Sequence, residues 1–264
     1  MTSIEWLELC RASVEDVRAV VAGLPTREER EPVVGQGLGG DETTAVDQAA
    51  EDAILARFRS LDDVTIVSEE VGRLGSGSTT VVIDPIDGSL NAKRGIPFFS
   101  ISIAVAEGDT MDDVVFGYVH DFGSGEEWTA TRGGGALLNG KPLTERPKDT
   151  LEILSFEATT TAYVSEFAAR FDGIAHRLRV MGSLAITLCH LAAGRVDGVV
   201  SLKPARSVDI AAAQLLVREQ GLAIDLPEAP PFGGAPLDLV GRSRVAAAGN
   251  AKLCRTLSRA LTSS

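Results

Sequence analysis

Two aspartates three positions apart, Asp84 and Asp87, close an apolar run in the stretch Val81-Val82-Ile83-Asp84-Pro85-Ile86-Asp87-Gly88-Ser89. The run reads as a buried strand. Its proline is expected to stop the strand and fix a turn from which both carboxylates point into one cleft. Two ionised carboxylates that close repel each other and raise one pKa, unless a cation lies between them. Oxygen-only ligands favour Mg²⁺ or Mn²⁺ over zinc. Gly88 and Ser89 follow at the expected start of a short helix, where backbone N–H groups make a ready phosphate cradle.

A second acidic pair, Glu69-Glu70, ends the run Thr65-Ile66-Val67-Ser68. If the two strands are parallel neighbours, Glu69 and Asp84 arrive at the same sheet edge. Taken singly, Asp-Pro and Asp-Gly serve equally as turn residues, and Glu-Glu as a solvated strand end. Together, with buried runs leading into both, they favour a metal site.

Other chemistries find less support. Residues 35–40, Gly-Gln-Gly-Leu-Gly-Gly, fit the pattern G-x-G-x-x-G, but the stretch before them is charged and contains Pro32. That makes a poor central strand, so a flexible loop is expected rather than a dinucleotide site. His120, His176 and His190 are too scattered for a zinc cluster, and no G-x-S-x-G elbow is present. Cys10, Cys189 and Cys254 lie far apart, which suggests neither a disulfide framework nor a cysteine zinc site. A net charge of −12 argues against non-specific nucleic-acid binding. No apolar stretch approaches the ~18 residues of a membrane span, and the N-terminus carries acids where a signal peptide carries bases. A soluble, cytoplasmic protein is expected.

The elements that must position these groups follow from periodicity. Apolar residues at helical spacing predict a helix over 3–22, and a second helix is expected over about 44–58 beyond a charged, Gly-rich connector. Runs 65–68 and 79–84 read as strands separated by the loop 72–78. β-Rich runs at 99–106, 114–120, 126–131 and 136–138 predict antiparallel strands, with tight turns at 132–135 and at Asn139-Gly140. Beyond a soft boundary near residue 150, helices around 161–171, 183–193, 208–220 and 250–262 alternate with short strands at 151–156, 197–201 and 243–247. Residues 1–150 and 151–264 are therefore expected to form two halves sharing an extensive interface.

The stretches Ser68-Glu69-Glu70, Asp84-Pro85-Ile86-Asp87-Gly88-Ser89 and Ser207-Val208-Asp209-Ile210-Ala211 resemble the signature elements of the inositol monophosphatase and fructose-1,6-bisphosphatase superfamily. The archaeal, dual-activity type is the nearest in pattern. The resemblance runs in order through residues 43–55, 94–105, 116–119, 132–143 and 179–198. It implies an α/β (α+β) fold layered α/β/α/β/α, a homodimer, and a phosphomonoesterase using two or three Mg²⁺ ions, with Mn²⁺ able to substitute. By the same resemblance Glu69, Asp84, Asp87, Asp209 and the carbonyl of Ile86 are metal ligands, and Glu69 also serves catalysis. Asp47 pairs with the hydroxyl of Ser89 to orient the attacking water. Asp87, Gly88 and Ser89 hold the phosphate, and Gly182, Ser183 and Leu184 line the sugar site. Ser201 stands near the position where the animal inositol monophosphatases carry an acid.

A bisphosphate needs a second anion site away from the metals. Arg179, Lys203 and Arg206 are the cations expected to build it. Fructose 1,6-bisphosphate and inositol 1-phosphate are thus the expected substrates. A 3′-phosphoadenosine nucleotide or NADP, or a catalytically silent binding role, are the competing readings.

Overall fold

The computed structural model describes residues 1–38, 42–157, 160–229 and 231–263. Helix α1 (Ser3–Gly23) opens on a capping box in which Thr2 accepts from the Glu5 N–H and Glu5 accepts from the Thr2 N–H. It buries Trp6, Cys10, Val14 and Val17. After a single turn, α2 (Arg27–Arg30), the expected loop proves to hold a hairpin. Strand β1 (Val33–Gln36) pairs antiparallel with β2 (Glu42–Thr44). This antiparallel hairpin is not the strand-to-helix crossover of a dinucleotide site, although Gly39 and Gly40 of that motif lie outside the described residues. Thr44 then stands before α3 (Ala45–Phe58), whose Asp47 reaches back to it.

The first sheet runs through β3 (Val64–Ser68), β4 (Gly72–Leu74) and β5 (Thr79–Asp87), then past α4 (Ser89–Arg94) to β6 (Ser100–Ala106). It continues with β7 (Val114–Asp121), β8 (Glu127–Thr131), β9 (Gly135–Leu138) and β10 (Lys141–Pro142). The spatial order is β10-β9-β8-β7-β6-β5-β3-β4, antiparallel except that β3 and β5 are parallel. Strand β4 falls inside the expected loop. Gly72, at φ +77°, reverses the chain tightly enough for Ser68 to pair with it.

The second sheet follows from β11 (Ile153–Glu157). Helix α5 (Thr161–Phe167), extended by a 3₁₀ turn, leads to β12 (Arg177–Arg179) and α6 (Leu184–Ala192). Then come β13 (Gly198–Ser201), α7 (Ser207–Glu219), β14 (Ala223–Asp225), β15 (Ala246–Ala248) and α8 (Ala251–Thr262). Its order is β12-β11-β13-β15-β14. The strand expected from residue 243 begins at Ala246, because Ser243 instead bridges to Ala205.

Alternation along the strands decides the layering. Ile101, Ile103 and Val105 of β6 join Val81 and Ile83 of β5 against α1 and α3. Val82, Ala104 and Val119 face the other way, onto α6 and α7, which also cover Val199 and Ala247 of the second sheet. The far face of that sheet, Leu154, Phe156 and Val200, packs on α5 and α8. The layers are α/β/α/β/α, as expected. Ile103 is fully buried, so truncating it to alanine would cost about 2–5 kcal/mol.

Candidate active site

Strands β3 and β5 run parallel in register, with Ser68 opposite Ile83. Glu69 and Asp84 are each the next residue, so both acids leave the same edge of the sheet. The strand does not stop at Pro85, however. It continues to Asp87 through a bulge: Asp84 pairs with Ser102 and Asp87 with Ser100, so two residues between them on one strand stand against one on the other. Residues three apart would face opposite ways on a regular strand. The extra residue brings Asp84 and Asp87 onto one face, which the proline alone would not have done.

Asp84 is buried, and its Oδ1 accepts the Ile86 N–H at 3.0 Å. The Asp87 carboxylate is held from the second half of the chain: Ser183 Oγ donates to its Oδ2 at 2.5 Å and the Ala185 N–H at 2.7 Å. Ser183 also caps α6. Gly88 has φ +96°, and a Cβ there would lie 2.9 Å from the Gly182 carbonyl, so only glycine fits between the two loops. Asn91 ties the same loops together, donating to the carbonyls of Phe98 and Met181 at 2.8 and 2.9 Å.

Asp209 lies in the first turn of α7, where its Oδ2 accepts the Arg206 N–H at 2.7 Å. The Arg206 side chain folds over it, with Nη2 3.0 Å from Asp209 Oδ1 and Nη1 2.6 Å from Glu69 Oε1. Arg206 is thus a buried bridge between two expected metal ligands, not a cation directed at a distal phosphate. Burial raises Glu69 to about 8 despite Arg206, and raises Asp87 to about 7 despite its hydrogen bonds. Asp84 is pushed well above the carboxylate range by burial and then by Glu69, Asp87 and Asp209.

Asp47 and Ser89 do not pair. Asp47 Oδ2 accepts from the Thr44 hydroxyl and N–H at 2.5 and 3.2 Å, while Ser89 donates to the Ile86 carbonyl at 2.9 Å. Asp47 Oδ1 is buried and has no partner among the described residues.

Among the described residues, no three Asp, Glu, His or Cys side chains are drawn together tightly enough to hold an ion as they stand. Arg206 instead compensates Glu69 and Asp209. The donor chemistry nevertheless fits a hard cation. It comprises carboxylate oxygens, of which Asp84 is buried and raised first by that burial and then by its acidic neighbours, beside an Asp47 oxygen that has no partner among the described residues.

A cleft of about 280 Å³ is lined by the carboxylates of Asp87 and Asp209, the cations of Lys203, Arg206 and Arg242, and the backbone turn at Gly182 and Leu184. Arg179 does not line it. That side chain is exposed and donates to the carbonyl of its neighbour Leu178 at 2.9 Å. A wider hollow of about 580 Å³ between α1 and strands β7 and β8 holds Arg11, Arg18, His120 and Glu127, and none of the acid cluster.

Three site residues escape a reading of the sequence. Glu51 is buried on α3, and its Oε1 accepts the N–H groups of Glu70 and Val71 at 3.1 and 3.2 Å, holding the turn after Glu69. Its spacing of four from Asp47, one helical face, was the available signal. Glu157 ends a buried strand as Glu69 does. Arg242 lies in a loop with no pattern at all.

The chain matches the inositol monophosphatase family over residues 7–261. It is 34% identical to the fructose-1,6-bisphosphatase/inositol-1-monophosphatase of Methanothermobacter thermautotrophicus, covering 94% of this chain and 93% of that protein. Against Nus factor SuhB of Escherichia coli it is 40% identical over 69% of this chain and 70% of that one. A solved inositol monophosphatase–fructose 1,6-bisphosphatase superposes with a TM-score of 0.84 at 28% identity, covering 97% of this chain and 99% of the other. With the five layers, the bulged acidic strand and the capping Asp209 all in place along that match, the chain belongs to the inositol monophosphatase family.

Proposed function

We propose that this protein is a metal-dependent phosphomonoesterase of small sugar and inositol phosphates, with fructose 1,6-bisphosphate and inositol 1-phosphate as its principal substrates. The observation that carries the proposal is a single cleft bearing Asp87 and Asp209 together with Lys203 and Arg242. In a chain of net charge −12, basic side chains gathered beside an acid cluster suit an anionic ligand that also engages a cation. The archaeal relatives named as fructose-1,6-bisphosphatase/inositol-1-monophosphatase support the same reading.

In this proposal Glu69, Asp84, Asp87, Asp209 and the Ile86 carbonyl would hold two or three Mg²⁺ ions, or Mn²⁺ in their place. When bound, such ions neutralise the ester's charge and lower the pKa of a water. The chain's own groups supply the rest. Backbone N–H groups at Gly88 and Ser89 hold phosphate oxygens, and Asp47 Oδ1, buried and without a partner among the described residues, orients the attacking water. Gly182, Ser183 and Leu184 line the alcohol side. Water attacks phosphorus, the ester P–O bond breaks, and the departing alkoxide takes up a proton. Lys203 and Arg242 meet a second phosphate.

The same proposal includes a homodimer and a cytoplasmic location. Leu90, Ile96, Leu178 and Val180 are exposed on segments that Asn91 ties together through Met181. The three cysteines are free and buried, which suits a reducing compartment. No described helix is long and apolar enough to cross a membrane. The deciding experiment is phosphate release with Mg²⁺ from fructose 1,6-bisphosphate, inositol 1-phosphate, phosphoadenosine phosphate and NADP. Turnover of the first two that vanishes in EDTA and in Asp84→Asn supports the proposal. Release only from the nucleotides, or full turnover in EDTA, overturns it.

A further inference from the structure

Glu157 is 1% exposed, yet no cation is paired with it among the described residues. Its partners are all neutral donors. Oε2 accepts the Gly182 N–H at 2.8 Å, and Oε1 lies 2.7 Å from the Ser155 hydroxyl and 2.9 Å from the Thr187 hydroxyl. The Met181 N–H also contributes to holding its charged form. Burying an uncompensated carboxylate is costly, and burial raises Glu157 above its ordinary range. A role in packing alone would be met more cheaply by an apolar side chain.

What a carboxylate offers here is acceptor capacity. It has two oxygens with about four lone-pair sites and no donor, so it can take several converging N–H and O–H groups at once, Thr187 sharing its one proton with the Ser183 carbonyl. A glutamine offers one acceptor oxygen and turns an NH₂ toward the rest.

The gripped donors belong to the turn that controls Asp87. Gly182, at φ +92°, is fixed from one side by Glu157 and from the other by Asn91, whose Nδ2 would lie 2.8 Å from a Cβ at this position. The next residue, Ser183, donates to Asp87 Oδ2 at 2.5 Å, and the Ala185 N–H donates to the same oxygen at 2.7 Å. Thr187, one turn on, lies 2.7 Å from the Ser183 carbonyl as well as against Glu157. Glu157 also acts on Asp87 through its charge.

We propose that Glu157 is a positioning residue: its buried carboxylate holds the Met181–Ser183 turn, and through that turn it fixes the Asp87 carboxylate in the geometry that metal and substrate require. The link from this grip to catalysis rests on the phosphatase reading, but the grip itself does not.

The test compares wild type, Glu157→Gln and Glu157→Ala with Leu257→Ala, a core truncation on α8 that removes no hydrogen bond to the turn. Hydrogen exchange over residues 180–187 is followed in metal-free protein. Mg²⁺ binding is followed by calorimetry without substrate, and kcat and KM by phosphate release. In Glu157→Gln the Gly182 and Ala185 amides should exchange at least ten-fold faster, and Mg²⁺ affinity should fall about ten-fold. Leu257→Ala should lower Tm comparably without either change. Unchanged exchange at both amides in Glu157→Gln overturns the proposal, even if Glu157→Ala fails to fold. So does a loss of Mg²⁺ affinity no greater than that of Leu257→Ala. A wild type that releases no phosphate defeats the phosphatase reading, while the exchange arm still decides for or against Glu157.

Discussion

The Arg206 guanidinium lies 2.6 Å from Glu69 Oε1 and 3.0 Å from Asp209 Oδ1, bonding an acid at the end of β3 to one in the first turn of α7. Both carboxylates are mostly buried, and so is the arginine. Removing one partner from such a cluster leaves uncompensated charge, at about 3 kcal/mol or more. Arg206→Gln should therefore melt well below wild type in EDTA. A bound Mg²⁺ would take over the compensation, so saturating Mg²⁺ should raise the variant's Tm by more than it raises that of wild type. Equal rises in thermal melts would show that arginine and ion do not share the same carboxylates.

The raised carboxylates give metal-free protein a defined pH dependence. Glu69 lies at about 8 against its ordinary 4.5, and Asp87 at about 7 against 3.8. A raised acid binds more protons folded than unfolded, so its contribution is whole below the unfolded value and is lost as pH rises through the folded one. Chelated protein should lose stability steadily between about pH 5 and pH 8. Bound Mg²⁺ displaces those protons, so its stabilisation should grow over the same interval. Denaturant titrations in EDTA and in Mg²⁺ at several pH values measure both. A chelated protein whose stability rises from pH 5 to pH 8 would contradict the assignment.

Much of this site was legible in the sequence. The pairs Glu69-Glu70 and Asp84…Asp87, each at the end of an apolar run, located the sheet edge, and the order of β3 and β5 put them side by side. The layering is what the family resemblance implies, and the alternation of buried residues along the strands bears it out. What failed was local competition. By sequence Pro85 reads as a stop, but the strand absorbs it in a bulge, which no single-strand pattern encodes. The hairpin β1–β2 reads as loop because its four-residue first strand is exposed throughout and carries no alternation. Arg206 reads as a substrate cation because its charge is visible in the sequence and its folded partners are not. Glu157 gives no signal because one acid ending one strand is common. Its meaning lies in donors contributed by residues 155, 182 and 187.

Asp47 is distinguished by what it lacks. One oxygen is saturated by Thr44, and the other is buried with no partner among the described residues. An oxygen so placed is free to accept from a water when the site is assembled. Asp47→Asn should lower kcat about 10²–10⁴-fold, the usual range for a positioned proton-transfer group, with KM moved only a few-fold. Ser89→Ala should be milder, since that hydroxyl is engaged with Ile86. Steady-state kinetics of both variants check this, and a KM effect exceeding the kcat effect in Asp47→Asn would assign Asp47 to binding.

Substrate choice turns on which cations face the cleft. Lys203 and Arg242 line it, whereas Arg179 points along its own strand end and does not. A second phosphate reaching the first pair would gain charge-assisted contacts of about 1.5 kcal/mol each, toward the lower end of the usual range because Arg242 is exposed. Lys203→Ala and Arg242→Ala should each raise KM for fructose 1,6-bisphosphate about ten-fold, with kcat nearly unchanged. Inositol 1-phosphate has no second phosphate, so its KM should move less than three-fold by the same argument. Arg179→Ala should leave both substrates alike, because its guanidinium is bonded to the Leu178 carbonyl away from the cleft. The measurement is KM for the two substrates across the three variants at saturating Mg²⁺. Equal losses on both substrates would place Lys203 and Arg242 at the scissile phosphate. A selective loss in Arg179→Ala would mean that the strand end turns inward when substrate binds, and that the distal phosphate lies on the β12 side of the cleft.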